Sequence, residues 1–102
     1  MTAYRFVGSA CSIHGVGDFS KFGQRVELPE TVADTVILGG GAFIPEAQFE
    51  ALGFTAEELK SFPFPGQQAN APESFQNKKR EAILAFQTRN EELRAARFRG
   101  EN

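Results

Sequence analysis

The chain has 102 residues, of which 41% are hydrophobic and 24% charged, and its formal net charge at pH 7 is −2. These values are typical of one globular domain with a modest core and exclude a disordered chain. The longest weakly polar stretch, residues 35–45, is interrupted by three glycines and is too short for a membrane span of about 20 apolar residues. The slightly negative charge gives no electrostatic reason to expect nucleic-acid binding.

Residues 4 to 10 predict a first β-strand. Tyr4 and Phe6 fall on one face of such a strand and Arg5 on the other, because successive side chains alternate. Residues 12–19 contain two glycines and predict a loop or wide turn.

Two more strands are expected before the glycines at 39–41. Alternating charged and apolar residues at 25–28 predict a strand that ends at Pro29, which has no N–H for a ladder hydrogen bond. Residues 30–34 predict one helical turn, and the apolar residues 35–38 predict a third strand. The three glycines then indicate a tight turn, a bulge or a hinge.

Two short helices are predicted after that turn. The first begins at Pro45, where the missing N–H costs little, and ends at Gly53, which is placed for a left-handed cap. The second begins with a capping box, in which the Thr55 hydroxyl accepts from the Glu58 N–H and the Glu58 carboxylate reaches back. Residues 62–71, which contain two prolines, predict a break followed by an extended connector.

The C-terminal segment has the strongest helix pattern in the chain. No glycine or proline occurs between Pro72 and Gly100, which predicts a helix of about 25 residues. Leu84 and Phe98 lie away from the apolar stripe of this helix and are candidates for contact with another chain. The stripe itself consists of Phe75, Ala82, Phe86 and Leu93, with Ile83 beside it.

These elements predict an α+β fold: a small antiparallel β-sheet domain, two short helices and a long C-terminal α-helix. The β-rich part with the short helices occupies residues 1–71. The long helix and its tail, residues 72–102, belong to the same domain or form a docking arm. The chain has eleven phenylalanines, which we expect to exceed what so small a core can bury, so that some lie at contacts between subunits.

Charge is segregated along the chain. Residues 41–71 hold four Glu and one Lys, whereas residues 72–102 hold seven Lys or Arg and five Glu. This arrangement suits head-to-tail packing of copies. Alternatively, the arginines at 94, 97 and 99 only complement the dipole at the end of the helix, which is the favoured interpretation.

The sequence offers no cluster of reactive groups. Cys11 and His14 are the only thiol and imidazole, and a zinc site needs at least three protein ligands, so no metal site is predicted. The glycines at 39–41 lack the Lys-Ser/Thr pair of a phosphate-binding loop. Glu57 and Glu58 are explained by the start of a helix rather than by acid–base chemistry. A thiol enzyme in which His14 activates Cys11 is the weakest alternative. We therefore expect no catalytic residue and no cofactor.

The basic residues at 78–80 are the one candidate site for contact with nucleic-acid phosphates. Glu73 and Glu81 flank them, so a solvated helix face is the favoured interpretation. A nucleic-acid binder is accordingly a weaker alternative than a small soluble regulatory adaptor that binds a single protein partner.

The segment KFGQRVELPE at residues 21–30, with Val32-Ala33, a glycine turn and Ile44-Pro45 after it, resembles the N-terminal domain of Mu-like prophage FluMu proteins. It is similar to a pattern in small proteins from the head-gene region of tailed bacteriophages, and FEALGFTAEEL at residues 49–59 is similar to such proteins as well. The resemblance covers residues 4–60, and the stretch 11–19 and the long helix depart from it. It implies a role in the virion or in head assembly and supplies no catalytic residues.

We therefore expect a non-enzymatic structural subunit of a phage particle, made in the host cytoplasm and located in the virion. Its expected partners are capsid or connector proteins, or copies of itself, and neither a membrane nor a small-molecule substrate. The predicted protein-contact residues are Phe62, Phe64, Leu84, Leu93, Arg94, Arg97, Phe98 and Arg99.

Overall fold

The computed structural model describes the backbone of residues 1–98 and the side chains of residues 1–96. Its strands are β1 (Thr2–Phe6), β2 (Cys11–Ile13), β3 (Gly17–Phe19), β4 (Arg25–Leu28) and β5 (Phe43–Pro45). Its helices are α1 (Glu30–Leu38), α2 (Glu46–Ala51), α3 (Ala56–Ser61), α4 (Pro65–Gln68) and α5 (Glu73–Phe98). Small antiparallel sheets, short helices and one long helix confirm the predicted α+β class.

Strand β1 lies at the centre of a three-stranded antiparallel sheet with the order β4–β1–β5. Tyr4 pairs with Val26 on one side and with Pro45 on the other. The strand begins earlier than predicted and ends at Phe6, because the chain then turns towards a separate hairpin. Residues 12–19, predicted as a loop or a wide turn, contain a turn at residues 14–16, but β2 and β3 pair on either side of it, with Cys11 opposite Phe19.

Residues 35–38 form the last turn of helix α1, so the predicted third strand is wrong. The β-branched residues in this segment favour a strand locally. Ala33 and Ile37 are four residues apart, however, and a helix places both on one face, where both are buried. Burial against the sheet thus outweighs the local preference.

The predicted connector after residue 66 is also wrong, because α4 forms a short helix from Pro65 to Gln68. Pro65 occupies the first turn, where its missing N–H breaks no helical hydrogen bond. The buried Gln68 side chain donates to the carbonyl of Phe62 at 3.1 Å, which ties the new turn to the end of α3.

The predicted caps of the two short helices are confirmed. Thr55 Oγ1 accepts from the Glu58 N–H at 3.0 Å, and the Thr55 N–H donates to Glu58 Oε1 at 3.0 Å, which completes the capping box. Gly53 follows α2 with a φ of +84°, in the left-handed region that glycine enters without strain.

The core consists of two clusters on opposite faces of the central sheet, because successive residues of β1 point to opposite sides. Cluster 1 contains Tyr4, Phe6, Phe19, Leu28, Ala33, Ile37 and Phe43. Cluster 2 contains Val7, Phe22, Ile44, Phe49, Phe75 and Ala82. Of the ten phenylalanines whose side chains are described, six are buried, three are half-buried and Phe64 is exposed, so the core holds more of them than expected and leaves one at the surface. Covering both faces of the sheet creates the additional apolar volume.

Helix α5 packs along its own domain through residues 73–96. Phe75 and Ala82 belong to cluster 2, Leu93 packs against cluster 1, and Phe86 contacts both. Asn90 Nδ2 donates to the carbonyl of Ile37 at 2.7 Å and fastens the helix to the end of α1. The described part of α5 is therefore integrated in the domain and is not a detached docking arm. Within residues 1–98, no helix combines the length and apolarity that crossing a membrane requires.

Candidate protein-contact surface

Helices α2 and α5 enclose a groove on the surface, here called the α2–α5 groove. Pro45 and Leu52 contribute apolar surface from the α2 side, and Leu84 and Ala85 contribute it from α5. The groove has a volume of about 520 Å³ and is open to solvent along its length. Such a concave apolar strip suits an inserted side chain of another protein better than an enclosed small molecule.

Leu84 is the most prominent residue of this groove. It lies two positions from both Ala82 and Phe86, so the rotation of about 100° per residue directs it away from the buried stripe. Its side chain is 60% exposed. Single exposed leucines are common on protein surfaces, but Leu84 adjoins other apolar groups, as expected for the anchor of an interface.

The rim of the groove is acidic. Glu81 and Glu92 lie along its α5 side together with Arg89. Arg89 Nη2 is 3.1 Å from Asp34 Oδ1 and Arg89 Nη1 is 3.9 Å from Glu92 Oε1, so two carboxylates share this guanidinium. The remaining charge at the rim is negative and would favour a basic partner.

A second exposed apolar feature lies where α3 gives way to α4. Phe64, between Pro63 and Pro65, is 42% exposed. The Phe22 N–H donates to the Pro63 carbonyl at 2.9 Å, which brings the preceding residue, Lys21, to the same corner. Lys60, in the last turn of α3, is also exposed. Phe64 with Lys21 and Lys60 is called the Phe64 corner below.

Comparison with family models, with curated proteins and with solved structures gives no match to this chain. The resemblance to phage head-region proteins therefore stays a prediction carried by residues 21–59. In the structure these residues form β4, α1, β5, α2 and the start of α3, which include one wall of the α2–α5 groove.

The structure separates the predicted contact residues into inward and outward groups. Phe62 faces inward, with its ring centroid 5.2 Å from that of Phe75, and Leu93 packs against cluster 1. Phe64, Leu84 and Arg94 are exposed. Three further predicted residues cannot be placed on a surface: Arg99 lies outside the described residues, and the side chains of Arg97 and Phe98 also lie outside them.

Pro45 and Leu52 were not predicted as contact residues. In the sequence they appear only as the beginning and the end of a short helix. Their position beside Leu84 depends on how α2 packs against α5, which residue spacing does not encode. An exposed Leu on the far side of a stripe was the one signal that pointed to this surface.

The basic residues at 78–80 separate in the structure: Lys79 and Arg80 line a surface depression together with Glu73, whereas Lys78 lies elsewhere. Lys78 Nζ lies 2.6 Å from Glu58 Oε1 and 5.6 Å from the centroid of the Phe54 ring. The hydrogen bond from Lys78, followed by the bond from the Thr55 backbone, lowers the pKa of Glu58 below its ordinary value. Lys78 is thus bound within the domain, and Arg80 donates to the Asn77 side chain.

Cys11 and His14, the only thiol and imidazole of the chain, line one surface pocket of about 480 Å³ together with the glycine turn at residues 39–41. Cys11 is half-buried on β2, and His14 is exposed at the tip of the β2–β3 hairpin. Among the residues that the structure describes, no three His, Cys, Asp or Glu side chains are grouped so that they could hold a metal ion.

Proposed function

We propose that this protein is a non-enzymatic assembly subunit that binds another protein subunit in its α2–α5 groove. The observation that carries the proposal is Leu84, 60% exposed beside the apolar surfaces of Pro45 and Leu52. The similarity of residues 21–59 to phage head-region proteins supports a phage particle as the assembly, with the capsid or the head-to-tail connection as the site of binding.

The physical character of the groove favours a protein partner over a nucleic acid. Glu81 and Glu92 at the rim would repel phosphates, which proteins bind mainly through Lys and Arg. An inserted apolar side chain would instead remove Leu84 from water, and burial of apolar surface is the dominant favourable term in protein association.

The groove suits the centre of an interface rather than the whole of it. Stable specific interfaces bury roughly 1,200–2,000 Å² in total, and a few central residues carry most of the affinity. One wall of the groove is helix α5, which is fixed to the core through Phe75 and Phe86, and the other is α2 with the residues that flank it, Pro45 and Leu52. A preformed groove loses little conformational freedom on binding, which favours affinity.

The test is direct binding of purified proteins. Immobilised wild-type protein is exposed to the portal, connector and major capsid proteins encoded in the same genome, and dissociation constants are measured by surface plasmon resonance. Leu84→Glu places a charge in the groove, whereas the matched control Gln87→Glu places the same charge on an exposed position of α5.

We expect one of the three proteins to bind, Leu84→Glu to weaken that binding at least about 10-fold, and Gln87→Glu to leave it unchanged. Binding that Leu84→Glu does not affect would show that the groove is not the contact surface. Absence of binding to all three proteins would show that the assignment to a phage particle is wrong.

A further inference from the structure

We propose that the α2–α5 groove receives the Phe64 corner of a second copy of the same chain, so that copies associate head to tail. The inference rests on the proposed function, because it names a partner for the same groove. It accounts with one contact for two exposed apolar side chains, Phe64 and Leu84, that the domain itself does not cover.

The Phe64 corner is shaped for insertion. Pro63 and Pro65 restrict the backbone on both sides of Phe64, so the ring is presented without a large loss of conformational freedom on binding. A phenyl ring has no polar group that must keep a hydrogen bond when it leaves water. The groove has a volume of about 520 Å³, and its lining combines apolar side chains with polar and charged ones: Pro45, Leu52, Leu84, Ala85, Gln48, Thr88, Glu81, Arg89 and Glu92.

The charges of the two surfaces are complementary. Lys21 and Lys60 are exposed on the two segments that adjoin Phe64, and no ion pair involves either of them in the part of the chain that the structure describes. Glu81 and Glu92 border the groove. Insertion of the corner would therefore bring the two ammonium groups towards Glu81 and towards Glu92, which also lies 3.9 Å from Arg89. The resulting attraction speeds the encounter and fixes its orientation.

This contact joins two different surfaces, and that sets the kind of assembly. When a corner fills a groove, one copy keeps an open groove and the other keeps an exposed corner. Association then continues to a ring or a filament. Pairing of two grooves through Leu84 alone would instead stop at a symmetric dimer.

Complementation between two variants tests the head-to-tail contact. Phe64→Asp removes the corner and leaves the groove, and Asp is a favourable residue at the N-cap position of α4 that Phe64 occupies. Leu84→Glu removes the groove and leaves the corner. Thermal unfolding first establishes that both variants fold, and sedimentation then measures their masses alone and in an equimolar mixture.

We expect the wild type and the control Gln87→Glu to form species larger than a dimer as concentration rises. Each single variant should be a monomer, and the mixture should give a one-to-one heterodimer that grows no further and that salt weakens. Three results would overturn the inference: Phe64→Asp assembling like the wild type, a mixture that stays monomeric, or a monomeric wild type. The last result, combined with Leu84-dependent binding to a phage protein, would leave the proposed function standing.

Discussion

Lys78 Nζ lies 2.6 Å from Glu58 Oε1, and this ion pair joins the long helix α5 to the N-terminal cap of α3. The same oxygen accepts the Thr55 N–H at 3.0 Å. Lys78 also donates to the Gly53 carbonyl at 3.1 Å, at the end of α2. One lysine therefore holds the junction between the two short helices against α5, and this junction lies between the α2–α5 groove and the Phe64 corner along the chain.

Stability should depend on the ionisation of Glu58. Its pKa is lowered, chiefly by the hydrogen bond from Lys78, whereas in the unfolded chain a Glu titrates at about 4.3. The stabilising contribution is therefore complete above the unfolded-state pKa and is lost as the pH falls through the lower folded-state pKa. We expect Glu58→Gln to lower the urea midpoint at neutral pH and to approach the wild type in acid. Glu57→Gln, an exposed neighbour, is the control; a Glu58→Gln deficit that is the same at every pH would contradict the prediction.

The inward and outward faces of α5 should differ sharply in their contribution to stability. Phe75 is fully buried, and its ring lies 5.7 Å from Phe22 and 5.5 Å from Phe54, centroid to centroid. Phe75→Ala leaves a cavity and should reduce the free energy of unfolding by about 3–5 kcal/mol. Leu84→Ala should change it by no more than about 0.5 kcal/mol. Equilibrium unfolding in urea measures both, and a comparable loss in Leu84→Ala would mean that Leu84 serves the fold.

Signals confined to a few neighbouring residues predicted the structure well. The capping box at Thr55, the cap at Gly53 and the length of α5 follow from hydrogen bonds or steric rules that act within one helical turn. The C-terminal part of α1 was mistaken for a strand because its preference for helix comes from Ile37 packing on the sheet, a contact between distant segments. The apolar setting of Leu84 was likewise beyond prediction, since Leu52 approaches it only through tertiary packing.

Two glycines with the same backbone φ allow the cost of backbone strain to be measured separately from the cost of steric overlap when each is replaced by alanine. Gly23 and Gly53 both have a φ of +84°. A Cβ atom at Gly53 would meet open space, whereas at Gly23 it would lie 2.9 Å from Leu59 Cδ2 and 3.2 Å from Phe49 Cζ. Gly53→Ala should cost about 1–2 kcal/mol of unfolding free energy through backbone strain alone. Gly23→Ala should cost more, because side chains of cluster 2 must also move. If thermal unfolding shows equal losses of stability in the two variants, the predicted steric overlap at Gly23 is wrong.

The end of α1 should weaken when Asn90 is shortened. Asn90 Nδ2 donates to the Ile37 carbonyl, one of the last carbonyls of α1, which also accepts the Gly40 N–H at 3.0 Å. Asn90→Ala should lower the free energy of unfolding by about 0.5–1.5 kcal/mol and speed amide hydrogen exchange at residues 39–41, whose N–H groups bond within the same turn. Gln87→Ala, at an exposed position of α5, is the control. Unchanged amide hydrogen exchange at residues 39–41 would show that water replaces the Asn90 side-chain amide as a hydrogen-bond donor without loss of local stability.

The position of Phe86 has a consequence for how the domain unfolds. Phe86 packs against both apolar clusters. If α5 separates from one cluster, the packing of the other is therefore disturbed as well. Denaturation should be cooperative, with a single transition, and a fragment cut at residue 71 should lack a melting transition of its own. In an assembly the long helix would therefore stay rigidly attached to its own domain. Any hinge movement would have to occur between subunits.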